Sequence, residues 1–215
     1  IFNPDARTTM DNGCRSFFYN GNEPYQHTLR QYWRRLMFRS SAPRAQATSS
    51  LEQAISMAHA DTIKSLIAQG EDINTRNMRG HAPIHLATVK GNSDVVQLLL
   101  ENGADVNVVG TDSGCTSLHY ATSLGHVDLC ELLIRYGADT DAQTAKLETP
   151  LHLAIAKGHR EVVAILLKYR ARLDIRNKNG MTPLQQAENI KNMEIVTLIK
   201  QHLSEAWPYL LISRR

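Results

Sequence analysis

The chain has 215 residues, of which 42% are hydrophobic, 21% charged and 6% aromatic, and its formal net charge is +3. This length and composition are typical of a globular protein and exclude a wholly disordered chain. No apolar run approaches the ~20 residues of a membrane span. The three cysteines (Cys14, Cys115 and Cys130) contain no CxxC pair and make no disulfide framework, so we expect a reducing intracellular compartment.

Charge and aromatic residues are distributed unevenly along the chain. Residues 1–50 contain seven Arg, no Lys and three acidic residues, a net charge of +4, whereas residues 51–215 contain 17 basic and 18 acidic residues, a net charge of −1. The first 50 residues also hold eight of the 13 aromatic residues. We therefore interpret residues 1–48 as a separate, non-repeat arm.

The arm contains a short aromatic run followed by an amphipathic pattern. Leu29, Trp33, Leu36 and Met37 follow the i, i+4, i+7, i+8 spacing of a helical stripe. No core within the arm explains its rings, so we expect it to dock onto the repeats or onto a protein partner. The residues expected to make this contact are Phe17, Phe18, Tyr19, Leu29, Tyr32, Trp33, Arg34, Leu36 and Phe38.

Three interpretations of the arm compete. From Pro24 to Ser50 there are five Arg and no acidic residue, a composition shared with mitochondrial and plastid targeting segments. The preceding acids Asp5 and Asp11 argue against an intact targeting peptide, and the absence of an initiator Met suggests a processed chain or a fragment. The alternatives are an arm that lies on an anionic membrane surface or RNA, and an arm that docks onto a protein partner.

Two short strings recur along the rest of the chain at a fixed phase. Residues 83–87 (PIHLA) recur as 117–121 (SLHYA), 150–154 (PLHLA) and 183–187 (PLQQA), in steps of 34, 33 and 33 residues. Residues 70–74 (GEDIN) recur as 103–107 (GADVN) and 137–141 (GADTD). Such self-similarity indicates a repeat architecture, in which each unit buries its apolar face against its neighbours.

The repeated unit resembles the ankyrin repeat. The resemblance covers about residues 49–205 and gives five units: 49–76, 77–110, 111–143, 144–176 and 177–205. It implies an all-α solenoid of helix pairs joined by hairpins, with the atypical first and last units as caps, followed by an apolar tail at 206–215. In the fourth unit Leu147 and Arg170 stand where the other units have glycine, so its hairpin geometry is left open.

No constellation of residues indicates catalysis, and we expect neither an enzyme nor a cofactor or metal. There is no glycine-rich phosphate loop, HExxH or GxSxG motif. The histidines at 85, 119 and 152 recur at repeat spacing, and the resemblance implies a structural role with local hydrogen bonds. Cys130 is expected to be a small core residue. The resemblance also assigns Asn74 and Asn107 to the position that asparagine hydroxylases modify in some ankyrin proteins.

The resemblance implies protein binding by hairpin tips and by the ends of the first helices. We therefore predict a non-enzymatic interaction module that serves as an adaptor or accessory subunit. The alternatives are the repeat portion of a larger enzyme or effector, or an RNA or membrane-surface binder through the arm; the near-neutral repeats do not favour nucleic acid. The predicted binding residues are Met78, Arg79, His81, Val89, Lys90, Asp112, Ser113, Cys115, Ser123, Leu124, Lys146, Glu148, Lys157, Lys178, Asn179 and Met181.

Overall fold

The computed structural model describes residues 50–111 and 113–210, with side chains to 205. The predicted arm contacts, from Phe17 to Phe38, and Asp112 lie outside these residues. The described part is all helical. Its helices are α1 (Ser50–Ser56), α2 (Ala60–Ala68), α3 (Pro83–Val89), α4 (Ser93–Glu101), α5 (Ser117–Leu124), α6 (Val127–Arg135), α7 (Pro150–Lys157), α8 (Arg160–Lys168), α9 (Pro183–Asn189) and α10 (Met193–Leu210).

The helices form two layers. The first helices of the five units, α1, α3, α5, α7 and α9, each contact the next in that order, and the second helices do the same. Within each unit the first and second helices also pack together. This is the all-α solenoid that the repeat predicts, in which packing is between sequence neighbours.

Local sequence explains where each first helix begins. Proline occupies the first turn of α3, α7 and α9, where its missing N–H costs nothing and its fixed φ suits the helix. The Oγ1 atoms of Thr149 and Thr182 accept hydrogen bonds at 3.4 Å from the amides of His152 and Gln185. The hydroxyl residues ahead of these two helices therefore cap them.

The core is one continuous strip of aliphatic and small side chains between the two layers. Leu118, Leu133, Leu151 and Leu166 are fully buried within it, and so is Cys130, whose predicted core position is confirmed. Burial also raises the pKa of the Cys130 thiol to about 12, so that it stays protonated and is a poor nucleophile.

The backbone has three left-handed positions at fixed places in the repeat. The residue after the first helix has φ of 56–75° in all five units: Ala58, Gly91, Gly125, Gly158 and Lys191. The residue after the second helix and the hairpin residue are also left-handed, and both are glycine outside the fourth unit.

The fourth unit keeps the regular geometry despite its substitutions. Leu147 has φ 57° and Arg170 has φ 61°, close to the glycines in the other units. In the hairpin the Leu147 amide still donates to the Thr144 carbonyl at 2.8 Å. The hairpin geometry that the sequence left open is therefore regular. Leu147 and Arg170 each adopt a left-handed conformation that costs a non-glycine residue about 1–2 kcal/mol.

We expect Arg170→Gly to raise the free energy of unfolding by about 0.5–1 kcal/mol, because relief of the left-handed strain exceeds the entropic cost of glycine. Arg170 makes no side-chain hydrogen bond or ion pair among the described residues, so little else is lost. The matched control is Gly137→Ala, the reverse change at the same position of the third unit, where an added Cβ meets nothing within 4 Å. Urea unfolding followed by circular dichroism should show opposite shifts, and equal signs would contradict the strain argument.

Candidate protein-binding face

Four equivalent hairpins join the units and carry most of the predicted binding residues. Each hairpin is closed by a backbone bond from the amide of its first residue to a carbonyl four or five residues later, at 2.8–3.0 Å; the donors are Asn77, Gly110, Thr144 and Asn177. Exposed side chains at their tips include Met78, which is 92% exposed. The other predicted tip residues that are exposed are Arg79, Lys146, Lys178 and Asn179.

The hairpins are rigid because side chains and neighbouring hairpins hold them. The Asn77 Oδ1 atom accepts from two amides of its own hairpin at 3.0 Å, and Asn177 repeats the arrangement. Backbone bonds of 3.0 Å run from Ala145 to Ser113 and from Lys178 to Lys146, between successive hairpins. The tips are therefore preorganised, which lowers the entropic cost of binding a partner.

One extra residue accounts for the 34-residue step in the repeat. The amide of Gly110 pairs with the carbonyl of Cys115, five positions later, whereas the other three hairpins span four positions. The insertion is confined to this hairpin, and the helices on either side keep their register. Cys115 is half-buried, and its Sγ lies 3.9 Å from the Ser113 carbonyl oxygen.

The ends of the first helices supply the second group of predicted residues. Val89 is 48% and Leu124 47% exposed, and Lys90 and Lys157 are also exposed. Ser123 is half-buried, and its carbonyl accepts from the His159 ring at 3.2 Å. We call the surface formed by these helix ends and the hairpin tips the inner face.

Some predicted binding residues are only partly exposed. The His81 ring is half-buried, and its Nε2 atom lies 3.2 Å from the hydroxyl of Tyr120. The same ring stands edge-on to His85 and Tyr120 at centroid distances of 6.0 and 5.9 Å. Glu148 and Met181 are also half-buried. The inner face therefore rests mainly on the exposed tips and helix ends.

Three buried histidines hold the backbone where one unit passes into the next. The Nδ1 atoms of His85, His119 and His152 accept from the backbone amide three residues earlier, at 3.1–3.3 Å. An amide is only a donor, so Nδ1 is unprotonated and Nε2 carries the hydrogen. That hydrogen is donated to backbone carbonyls at 2.9–3.2 Å. The acceptors are Val108 at the end of the unit of His85, Ala142 at the end of the unit of His119, and Glu148 and Met181 at the starts of the units that follow His119 and His152.

This geometry supports the structural role expected of these histidines. Both ring nitrogens are occupied by backbone groups, so neither is available to bind a metal or to accept a substrate proton. Burial lowers the pKa of all three rings, and that of His85 to about 4. Within the described residues, no group of three or more His, Cys, Asp or Glu side chains is arranged to hold a metal ion.

Asn74 and Asn107 also connect neighbouring units. Asn107 Oδ1 accepts from the Asp139 amide at 2.9 Å, and its Nδ2 donates to the Gly137 carbonyl at 3.0 Å. Asn74 makes the same pair of bonds one unit earlier. Both residues are exposed, while their amide groups are engaged. Hydroxylation at these positions stays a prediction.

The inner face is basic and its charges are unpaired. Among the described residues, Arg79, Lys90, Lys146, Lys157 and Lys178 form no ion pair. The ion pairs join Arg160 to Glu194, Lys168 to Glu131, Arg172 to Asp174 and Lys200 to Glu188.

Met57 belongs to the inner face, although it was not among the predicted binding residues. Met57 is 58% exposed and precedes the left-handed Ala58, so it stands where Lys90, Leu124, Lys157 and Ile190 stand in the other units. The first unit lacks the recurring string, and this hid the equivalence. The repeat step would have revealed it, because Met57 lies 33 residues before Lys90. No helix among the described residues is both long and apolar enough for a transmembrane segment.

Comparison with known proteins gives two matches to family models. "Ankyrin repeats (3 copies)" matches residues 51–144, and "Ankyrin repeats (many copies)" matches residues 132–187. Together they cover residues 51–187 and include most of the helix pairs and all four hairpins described above.

Curated relatives match over single stretches of the repeats. Alpha-latrocrustotoxin-Lt1a of Latrodectus tredecimguttatus is 43% identical over 54 residues, which is 25% of this chain and 4% of the toxin. Putative ankyrin repeat protein FPV219 of Fowlpox virus is 34% identical over 61 residues, 28% of this chain and 14% of the viral protein. Serine/threonine-protein kinase TNNI3K of Mus musculus is 41% identical over 58 residues, 26% of this chain and 7% of the kinase. The matched stretches are therefore small parts of these relatives.

Proposed function

Since the chain belongs to the ankyrin-repeat family, whose repeats are a generic protein–protein interaction module, we propose that it serves as a non-enzymatic adaptor or accessory subunit. The observation that carries this proposal is the inner face, where exposed apolar and unpaired basic side chains stand on rigid hairpins and helix ends. Exposed apolar side chains grouped in this way are typical of a surface that binds another protein.

A change to the inner face tests this function. The double variant Val89→Glu and Leu124→Glu places two acids on exposed positions of the face. Because buried apolar contacts usually carry much of an interface's energy, we expect it to weaken partner binding about tenfold or more. The measurement is affinity purification with chemical cross-linking, followed by titration of the partner so identified.

The matched control is the double variant Tyr136→Glu and Leu203→Glu, on the second-helix layer at 41% and 39% exposure. It makes the same charge change at similar exposure and should bind as the unchanged chain does. Equal loss in both variants, or loss in neither, would contradict a partner site on the inner face. Thermal unfolding of both variants checks that the fold is retained.

The arm is proposed as a second contact with the same assembly. Its aromatic residues and Arg34, which the sequence predicts to dock, lie outside the described residues. Deletion of residues 1–48 should weaken co-purification of the partner, while the repeats still unfold as a cooperative unit. Unchanged co-purification would remove the arm from the proposal and leave the inner face as the sole contact.

A second candidate is that these repeats form one part of a longer protein. It is favoured by the small share of each relative that the chain matches, 4–16% of the first four. Any activity would then lie in the remainder of that protein. The complete reading frame decides between the two candidates.

A further inference from the structure

A single row of equivalent residues crosses the inner face from the first unit to the last. Its members are Met57, Lys90, Leu124, Lys157 and Ile190, which we call the inner row. Each immediately precedes the left-handed residue that follows a first helix, so the five positions are equivalent by backbone conformation. Along the row, apolar and lysine side chains alternate from one unit to the next.

All five members of the inner row are available to a partner. Met57, Leu124 and Ile190 are 58%, 47% and 44% exposed, and both lysines are exposed. Neither lysine forms an ion pair with a described residue. The nearby Glu188, two residues before Ile190, is paired with Lys200 at 2.9 Å. The row therefore offers three apolar contacts separated by two unpaired positive charges.

Helix stability explains only part of this pattern. A lysine at a helix C-terminus is favourable because it opposes the negative end of the helix dipole. The same effect gives no reason for methionine, leucine or isoleucine at the equivalent ends of the other first helices. Exposed apolar side chains at those positions cost solubility, and their burial by a partner would recover that cost.

We infer that the inner row binds an extended peptide segment in which apolar and acidic residues alternate about every three positions; this rests on the proposed function of the inner face. Packed helices lie roughly 8–10 Å apart, so equivalent positions of successive units are separated by about that distance. A peptide in the extended polyproline II conformation advances about 3.1 Å per residue, which gives three residues per unit, and its three residues per turn point every third side chain to the same side. A segment of about 13 residues covers the row.

The order of side chains in the segment follows from the order of the row. Apolar residues at its first, seventh and last positions meet Met57, Leu124 and Ile190, and acids at its fourth and tenth positions meet Lys90 and Lys157. The pattern reads the same in both directions, so it does not depend on chain polarity. An α-helical segment advances only about 1.5 Å per residue, so its contacting side chains would have to lie about six residues apart.

Fluorescence anisotropy with labelled synthetic peptides and the full 215-residue chain tests this inference. The first peptide has leucine at the three apolar positions, glutamate at the two acidic positions, and serine or alanine elsewhere. A second peptide carries lysine in place of both glutamates, and a third has the same composition as the first with its acids moved by one residue. We expect the first peptide to bind at least about tenfold more tightly than either of the others.

Charge reversal in the protein provides the matched test. The double variant Lys90→Glu and Lys157→Glu should reverse the preference, so that the lysine peptide binds more tightly than the glutamate peptide. The control variant Lys64→Glu and Arg135→Glu makes the same charge change on α2 and α6, at exposed positions outside the row. It should keep the original preference, and thermal unfolding confirms that both variants are folded.

The outcomes separate this inference from the proposed function. Equal affinities for the three peptides, or a control variant that changes the preference as much as the row variant, overturn the inner-row pattern. If the Val89→Glu and Leu124→Glu variant still loses its natural partner, the proposed function stands without the inference. A further peptide carries the same contacting residues at the wider spacing of an α-helix. Tighter binding of that peptide also overturns the inference, because the partner would then not be extended.

Discussion

Replacing His119 by alanine is expected to lower the free energy of unfolding by about 3–5 kcal/mol. The ring is 1% exposed, and its removal leaves a cavity between the third and fourth units. It also leaves the Thr116 amide without its acceptor at 3.1 Å, and the Ala142 and Glu148 carbonyls without their donor at 3.1 and 3.2 Å. Buried polar groups that lose their partners account for much of the cost.

The fifth unit provides the matched control for this change. Gln185 occupies the same repeat position, and its Oε1 atom accepts from the Thr182 amide at 3.0 Å, as a histidine Nδ1 does. Gln185 is exposed, and among the described residues no further unit follows it. Gln185→Ala should therefore cost only about 1 kcal/mol. Urea unfolding followed by circular dichroism measures both variants, and similar losses would show that the connection between units is unimportant.

Acid should destabilise the repeats well above the pH at which carboxylates titrate. His85 has its pKa lowered to about 4 by burial, which outweighs the opposing hydrogen bond to the Val108 carbonyl, and burial lowers the pKa of His119 and His152 as well. In the unfolded chain each ring has its ordinary pKa of about 6.5. As the pH falls through this value, the unfolded state takes up protons that the folded state does not.

The stabilisation from the neutral rings is therefore complete above about pH 6.5 and is lost as the pH falls toward the folded-state pKa values, to about 4 for His85. His85 contributes a slope of up to about 1.4 kcal/mol per pH unit, and the lowered pKa values of His119 and His152 act in the same direction. Urea unfolding at about pH 7.5, 6.5 and 5.5 measures this loss while most carboxylates remain charged.

The variant His119→Gln removes one of the three titrating rings and should make the slope shallower. Its stability at neutral pH will be lower, but the comparison is between slopes and not between absolute values. A free energy of unfolding that stays constant from pH 7.5 to about 5.5 would show that the rings become charged without unfolding the chain.

Most of the fold can be predicted from the sequence because the same helix and turn signals recur in successive units. The proline, hydroxyl and glycine positions mark the helix ends, and the aliphatic spacing marks the buried faces. The structural role of the histidines was predicted from the family resemblance, but their acceptors were not, because carbonyls 23–29 residues away are set by the packing of units.

The conformation of the fourth hairpin and the contacts of His81 were harder to predict from the sequence. Residue preference alone argues against left-handed Leu147, but bonds to the hairpins on both sides, from Ala145 to Ser113 and from Lys178 to Lys146, stabilise the strained conformation. His81 was predicted to be a surface contact because its position is variable, and its engagement with Tyr120 depends on a tyrosine that the other units lack. The arm and Asp112 stay predictions.

The change from histidine to Gln185 also bears on how such an array grows. Repeat arrays gain and lose whole units by duplication and deletion of the gene segment. A histidine at the exposed position of Gln185 would turn its Nε2 hydrogen to solvent, because no described unit follows to supply a carbonyl. A glutamine inside the array would hold its amide donor on a flexible chain and not on a rigid ring. A copy of unit three or four would keep the histidine hydrogen bonds inside the array. The fifth unit, with its exposed Gln185, suits a position that no further unit covers. The hydrogen bonds of each unit therefore restrict its position in the array.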